Sequence, residues 1–95
     1  MAGYWIIKGT IKDQAAFDEY SKLWAPIAKK YQAEFIIPGT QHQTREGRDY
    51  SRVAVVKFPS YDQALACYDD ADYQASLEWA FKAYDRELVI VDDGQ

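Results

Sequence analysis

The chain has 95 residues, 48% hydrophobic and 16% aromatic, with a formal net charge of −4. That length makes a single domain over residues 1–95, and so much apolar content excludes a disordered chain. The acidic balance excludes a nucleic-acid phosphate surface, which needs a basic stripe, and no segment approaches the ~18 apolar residues of a membrane span. Cys67 is the lone cysteine, so no intrachain disulfide can form; packed in the short helix described below, it reads as a small apolar side chain or as a reactive thiol. Lys8 breaks the first apolar run, which denies the N-terminus a signal-peptide plan, and a reducing cytoplasm is the expected compartment. A domain this short buries only ~60–65% of its unfolded surface, so dimerisation is one usual remedy.

Residues 4–10 (YWIIKGT) read as the first strand, apolar on both parities: Tyr4 and Ile6 on one, Trp5 and Ile7 on the other. Asp13 is placed to cap a helix, in which Phe17, Tyr20, Trp24, Ile27 and Tyr31 recur at three- and four-residue steps as one stripe. Pro26 falls inside that pattern and is expected to kink the helix or split it. Residues 34–37 (EFII) are a second strand, stopped by Pro38-Gly39. The most polar stretch, residues 40–49 (TQHQTREGRD), reads as a partly extended hairpin arm turning at Glu46-Gly47.

Residues 52–58 (RVAVVKF) make a third strand, again apolar on both parities apart from Lys57. Pro59 ends it, lacking the N–H a ladder needs. Ser60 and Gln63 stand at capping-box spacing before a short helix carrying Tyr61, Ala64, Leu65 and Tyr68. Asp70 caps a longer helix over about residues 71–84, with Asp72 in its first turn and Tyr73, Leu77, Ala80, Phe81 and Tyr84 inward. Residues 88–91 (LVIV) are the last strand.

The order is β-α-β-β-α-β, the split βαβ plan of an α+β, ferredoxin-like sandwich built on one antiparallel sheet. Right-handed crossovers put both main helices on one face of that sheet. The strands are apolar on both faces, so the second face exposes more apolar surface than a monomer usually tolerates. At roughly 1.5–3 kcal/mol per large apolar side chain buried, covering it is strongly favoured, and the simplest cover is the same face of a second copy in a two-fold homodimer. Periodicity leaves open which parity faces the helices.

The opening GYWIIKG, the strand followed by FPSY and ALACY, the DADYQ segment and the closing LVIVDDG resemble the domain-of-unknown-function family numbered thirteen-thirty. That family lies within the dimeric α/β-barrel superfamily. The resemblance covers essentially the whole chain and is most specific over residues 52–74. It implies a ferredoxin-like protomer whose sheet faces its twin. Two positions depart from the family's habit. Gln32-Ala33-Glu34 stands where a Gly-Gly is usual after the first helix, and Pro38 stands where a basic residue is usual. The family has no agreed activity, and its superfamily spans cofactor-independent monooxygenases, isomerases and haem enzymes, so kinship of fold does not carry chemistry with it.

Candidate chemistry is sparse. His42, the only histidine, is either a surface side chain or an acid/base group. Lys8 and Lys57 interrupt apolar strands; with Tyr4 and Arg52 they are candidate ligand-binding residues, or else strand-end cations reaching solvent along their stems. Arg45, Arg48 and Arg52 gather around the polar stretch with Glu46 and Asp49, as a solvated salt-bridge surface or as carboxylate readers. Trp5 and Trp24 are read as core. No metal-ligand spacing, P-loop, nucleophile elbow or dinucleotide fingerprint is present, and no cofactor is expected. Three readings follow: a dimeric module binding a small, partly apolar molecule between sheet and helices; a cofactor-independent monooxygenase- or isomerase-like enzyme with His42 as acid/base; or a module that only homodimerises.

Overall fold

The computed structural model describes residues 1–38 and 41–94. Strand β1 (Gly3–Ile11) leads into helix α1 (Gln14–Lys30), strands β2 (Glu34–Ile37) and β3 (Arg52–Phe58), helices α2 (Tyr61–Asp69) and α3 (Ala71–Ala83), and strand β4 (Tyr84–Asp92). The four strands form one sheet in the order β2-β3-β1-β4, every neighbour pair antiparallel. This is the ferredoxin-like α+β arrangement.

The helix starts follow the caps read from sequence. Asp13 accepts from the Ala16 N–H at 3.1 Å, Ser60 from Gln63 at 3.1 Å, and Asp70 from Asp72 at 2.8 Å. Each satisfies a donor that the first helical turn leaves orphaned. Asp70 also accepts from Lys30 Nζ at 2.8 Å and the Tyr31 hydroxyl at 2.6 Å, which ties the end of α1 to the start of α3.

Four expectations need correction. Of the kink or split expected at Pro26, the split does not occur: α1 runs unbroken through it, because Pro26 and Lys22 are both exposed and the Lys22 carbonyl that Pro26 leaves unbonded can turn to water. The polar stretch is not a hairpin arm. Of its residues Thr40, like the strand-ending Gly39, lies outside the described residues, and residues 41–51 form no strand. They close on themselves instead: His42 Nε2 sits 2.8 Å from the Tyr50 carbonyl, and Thr44 donates to Asp49 at 2.8 Å. Phe81 is 60% exposed rather than inward, since the buried stripe of α3 runs through Tyr73, Ser76, Leu77, Ala80 and Ala83, one step round the helix. Finally, β4 begins at Tyr84, four residues before the expected start, because it pairs with β1 out to Ile11 and takes over from α3 without a loop.

Register settles which parity faces the helices. Trp5, Ala54 and Val56 turn to the helices and are buried. Tyr4, Ile6, Val53 and Val55 turn the other way, with Val89 (58% exposed) and Val91 (43% exposed) beside them on β4. Trp5 is the hub of the core. Its ring lies 5.1–5.9 Å from those of Trp24, Phe58, Tyr68 and Tyr73, and its indole N–H donates to the Ala64 carbonyl at 3.0 Å. The loop 41–51 covers one end of the open face. Tyr50 is buried there, with Arg48 4.9 Å and Lys8 5.8 Å from its ring, and Arg48 pairs with Asp85.

Candidate functional site

The inward stripe of α1 does not close fully on the sheet. Phe17, Tyr20, Ser21 and Trp24 form one wall of a cavity; Trp5 and Ile7 of β1 with Ala54 and Val56 of β3 form the other. The small side chain of Ala54 leaves the space, and Phe35 on the edge strand β2, 47% exposed, stands at the mouth. The cavity measures about 180 Å³. That is somewhat more than the ~150 Å³ apolar cavity known to admit benzene, so a small aromatic or branched molecule fits.

One end of the cavity is polar. Arg52, Tyr84 and Arg86 line it together with the Tyr20 hydroxyl. Arg86 donates to the Tyr73 hydroxyl at 3.0 Å and to that of Tyr20 at 3.5 Å, and the two hydroxyls lie 2.8 Å apart. Tyr73 is fully buried, and its hydroxyl has no other acceptor in reach among the described residues. Its proton is therefore best spent on the Tyr20 oxygen, because a buried donor without an acceptor is costly. That leaves the Tyr20 proton free for the cavity.

Burial chiefly, and then the Tyr73 phenol, raises the Tyr20 pKa well above the ordinary phenol range; burial raises that of Tyr73 too. Both are neutral hydroxyls at physiological pH. Burial alone would weaken the charge on Arg86, but the phenols of Tyr20 and Tyr73 outweigh it and its pKa moves up. Neither Arg52 nor Arg86 has a carboxylate within ion-pairing distance among the described residues. The lining also contains no carboxylate or imidazole. The site can therefore hold, orient and polarise a molecule, but it has no side chain suited to take a proton near neutral pH.

Of the candidate site residues Tyr4, Lys8, His42, Arg52 and Lys57, Arg52 is the one at this cavity. Tyr4 and Lys57 are register partners on the open face, and Lys8 lies further along the same face, 3.8 Å from Glu87. His42 lines a separate polar cup formed by the loop, with Thr44, Arg45, Asp49 and Tyr50. Trp24 and Trp5 serve both the core and the cavity wall. Cys67 is buried, and desolvation, with Asp70 nearby, pushes its thiol up to about 12. It is a packed side chain.

Sequence reading overlooked Arg86 and the Tyr20–Tyr73 pair. The signal was present in YDRELVIV, where Tyr84, Arg86, Leu88 and Ile90 share one parity. Starting the strand four residues earlier puts a cation on a helix-facing, apolar row.

Among the described residues no three His, Cys, Asp or Glu side chains come together to hold a metal ion, and no helix is long and apolar enough to cross a membrane. No curated protein sequence matches the chain. Several solved structures share its fold. A protein of unknown function from Rhodopseudomonas palustris aligns with a TM-score of 0.77 at 12% identity, over 99% of this chain and 83% of that one. A dimeric ferredoxin-like protein of unknown function from Thermobifida fusca gives 0.60 at 15% identity, over 96% and 90%. SnoaB, a cofactor-independent oxygenase from Streptomyces nogalater, gives 0.57 at 15% identity, over 99% and 94%. At such identities these likenesses concern the fold alone. The sequence itself goes further: residues 2–93 match one family throughout, and the chain belongs to that family, described as Domain of unknown function (DUF1330).

Proposed function

We propose that this protein binds a small, partly apolar molecule in the cavity between α1 and the sheet, as one half of a homodimer closed across the open sheet face. The observation that carries the reading is the cavity itself: aromatic walls, a floor left open by Ala54, and a few convergent polar groups at one end. Ligand sites commonly have that composition. The dimer is supported by the exposed row of Val89 and Val91 beside Tyr4 and Ile6, and by the dimeric state stated for the Thermobifida fusca protein. The test is a thermal-shift screen of small aromatic and branched compounds against the wild-type chain and Ala54→Leu, which fills the floor. Compounds should raise the melting temperature of the wild type and lose their effect on the variant. A library that moves neither, or both alike, removes the reading.

A cofactor-independent oxygenase or isomerase is the second reading, supported by the fold shared with SnoaB and by guanidinium groups suited to an enolate. His42 would be its acid/base group. Because His42 is not among the cavity's lining residues, this reading requires either a loop movement or a substrate acidic enough to ionise unaided. Turnover of a β-dicarbonyl or hydroquinone probe that His42→Ala abolishes would favour the enzyme; a ligand bound and returned unchanged would favour the binding module.

A further inference from the structure

Arg52, Gly9 and Arg86 form one row across three neighbouring strands, since Gly9 is the register partner of Arg52 on β3 and of Arg86 on β4. The row is on the helix-facing side. Neighbouring strands stand ~4.8 Å apart, so the two arginine backbones are about 10 Å apart with a glycine between them. Gly9 has a steric role there. A Cβ on it would come within 2.9 Å of Arg86 Cβ and 3.1 Å of Tyr84 Cδ1, so its bare backbone is what lets the Arg86 stem and the Tyr84 ring lean across β1 towards Arg52. The Tyr84 ring centre lies 5.4 Å from the Arg86 guanidinium carbon, and Tyr84 lines the cavity with both arginines.

Two half-buried cations thus converge on one end of an apolar cavity with no carboxylate to balance them. Like charges in a partly desolvated site repel, and each is costly to bury unpaired. The Arg86 plane is held: its guanidinium carbon lies 5.5 Å from the Tyr20 ring centre and 5.4 Å from that of Tyr84, and two of its N–H groups are taken by the phenols. Its remaining donors, the whole fork of Arg52 and the free Tyr20 proton are unspent. A planar oxyanion satisfies all three and cancels the repulsion.

We infer that the molecule held in the cavity is an apolar monocarboxylic acid, its ring or branched body against Trp24 and Ala54 and its carboxylate at the polar end between Arg52 and Arg86. This rests on the binding reading above and adds the chemical class of the ligand.

The experiment is calorimetric titration of the full chain with three probes: phenylacetate, the neutral 2-phenylethanol and inorganic phosphate. Phenylacetate should bind about tenfold more tightly than the alcohol or better, the worth of a charge-assisted hydrogen bond. Arg52→Gln should erase that advantage, weakening the acid about tenfold more than it weakens the alcohol. The Arg52 guanidinium makes no side-chain hydrogen bond or ion pair with a described residue, so this variant should fold; Arg52→Lys, keeping the charge without the fork, should fall between. Equal binding of acid and alcohol overturns the inference and leaves the cavity reading standing. Phosphate bound as tightly as phenylacetate overturns it as well, since the apolar body would then contribute nothing. Binding of neither aromatic probe overturns the inference and the cavity reading together.

Discussion

The hydroxyls of Tyr20 and Tyr73, one on α1 and one on α3, lie 2.8 Å apart beneath the Arg86 guanidinium. The contact borders the cavity through Tyr20, and with Arg86 it joins both helices to β4. Removing one hydroxyl leaves its partner with a bond unmade inside the protein, at a cost of about 1–3 kcal/mol. Removing both leaves no hydroxyl unpaired between the rings, and the cost that remains is that of the two Arg86 N–H groups that lose their acceptors. We predict that Tyr20→Phe and Tyr73→Phe each destabilise by that amount, and that the double variant loses less than their sum by roughly 0.5–3 kcal/mol. Urea unfolding of the four proteins measures it; strictly additive losses would show that the two hydroxyls do not act as a pair.

Gln32 takes φ +55°, the left-handed conformation, at the exit of α1. It opens the Gln32-Ala33-Glu34 stretch that the family resemblance set apart. A side chain there costs roughly 1–2 kcal/mol, of which glycine's greater unfolded-state freedom returns only ~0.5–1. Gln32→Gly should therefore stabilise the fold by about 0.5–1 kcal/mol, seen as a higher urea midpoint at unchanged slope. Gln32 is exposed, so no lost contact confuses the result. A lower midpoint would mean that the backbone here is not strained.

The same exit shows what could be read in advance and what could not. Local signals were legible: Asp13, Ser60 and Asp70 cap as their positions predict, and strands apolar on both parities do form one sheet with one open face. The departure at Gln32 was visible as a missing glycine, but the conformation it adopts was not. The errors lie where two rules compete. Phe81 fits a helical stripe by hydrophobicity alone, yet Ser76 and Ala83 fill the packed positions because α3 must lie close to its neighbours. The hairpin expected around Gly47 gives way to side chains that bond their own loop. The cavity depends on what Ala54 fails to fill, and Arg52 and Arg86 become neighbours only through a shared register partner. No periodicity within one segment encodes either fact.

Asp70 carries a prediction about pH. Its bond from Lys30, then that from Tyr31, hold its carboxyl well below the usual carboxylate range. A group whose folded pKa is depressed contributes stability above its unfolded value of about 3.9 and loses it as pH falls through the folded pKa. Asp70→Asn keeps an N-cap oxygen but removes the charge. The wild type should be the more stable near neutrality, and the gap should close as pH falls below about 4. Thermal melts across that range check it; a gap independent of pH would place the effect in the cap rather than in the ion pair.

Gly3 packs against the corner where β3 turns into α2. A Cβ there would sit 2.6 Å from the Ser60 carbonyl oxygen and 2.7 Å from Tyr61 Cα, both backbone atoms that cannot swing aside. Gly3→Ala should destabilise by about 1–3 kcal/mol, the usual cost of overpacking a closed site. Gly47, with φ +92° and open space around it, offers a contrast. Gly47→Ala should show only backbone strain, of order 1 kcal/mol. Equal stability of Gly3→Ala and the wild type in urea would mean that the corner can open.

Val89 tests the assembly. It lies on the open sheet face, 58% exposed, in register with Ile6, which in turn faces Val55. In an isolated chain Val89→Lys changes only an exposed position and should move stability by no more than about 0.5 kcal/mol. Across a two-fold interface the same change sets a desolvated charge in an apolar seam, with its symmetry mate close by, which is far more costly. Light scattering of the wild type should give twice the 11.0 kDa of one chain, and of Val89→Lys the mass of one chain at the same concentration. The far-ultraviolet circular dichroism of the two should match. A wild type that scatters as a single chain, with its melting temperature independent of concentration, would leave the open face bare and end the argument that a second copy covers it.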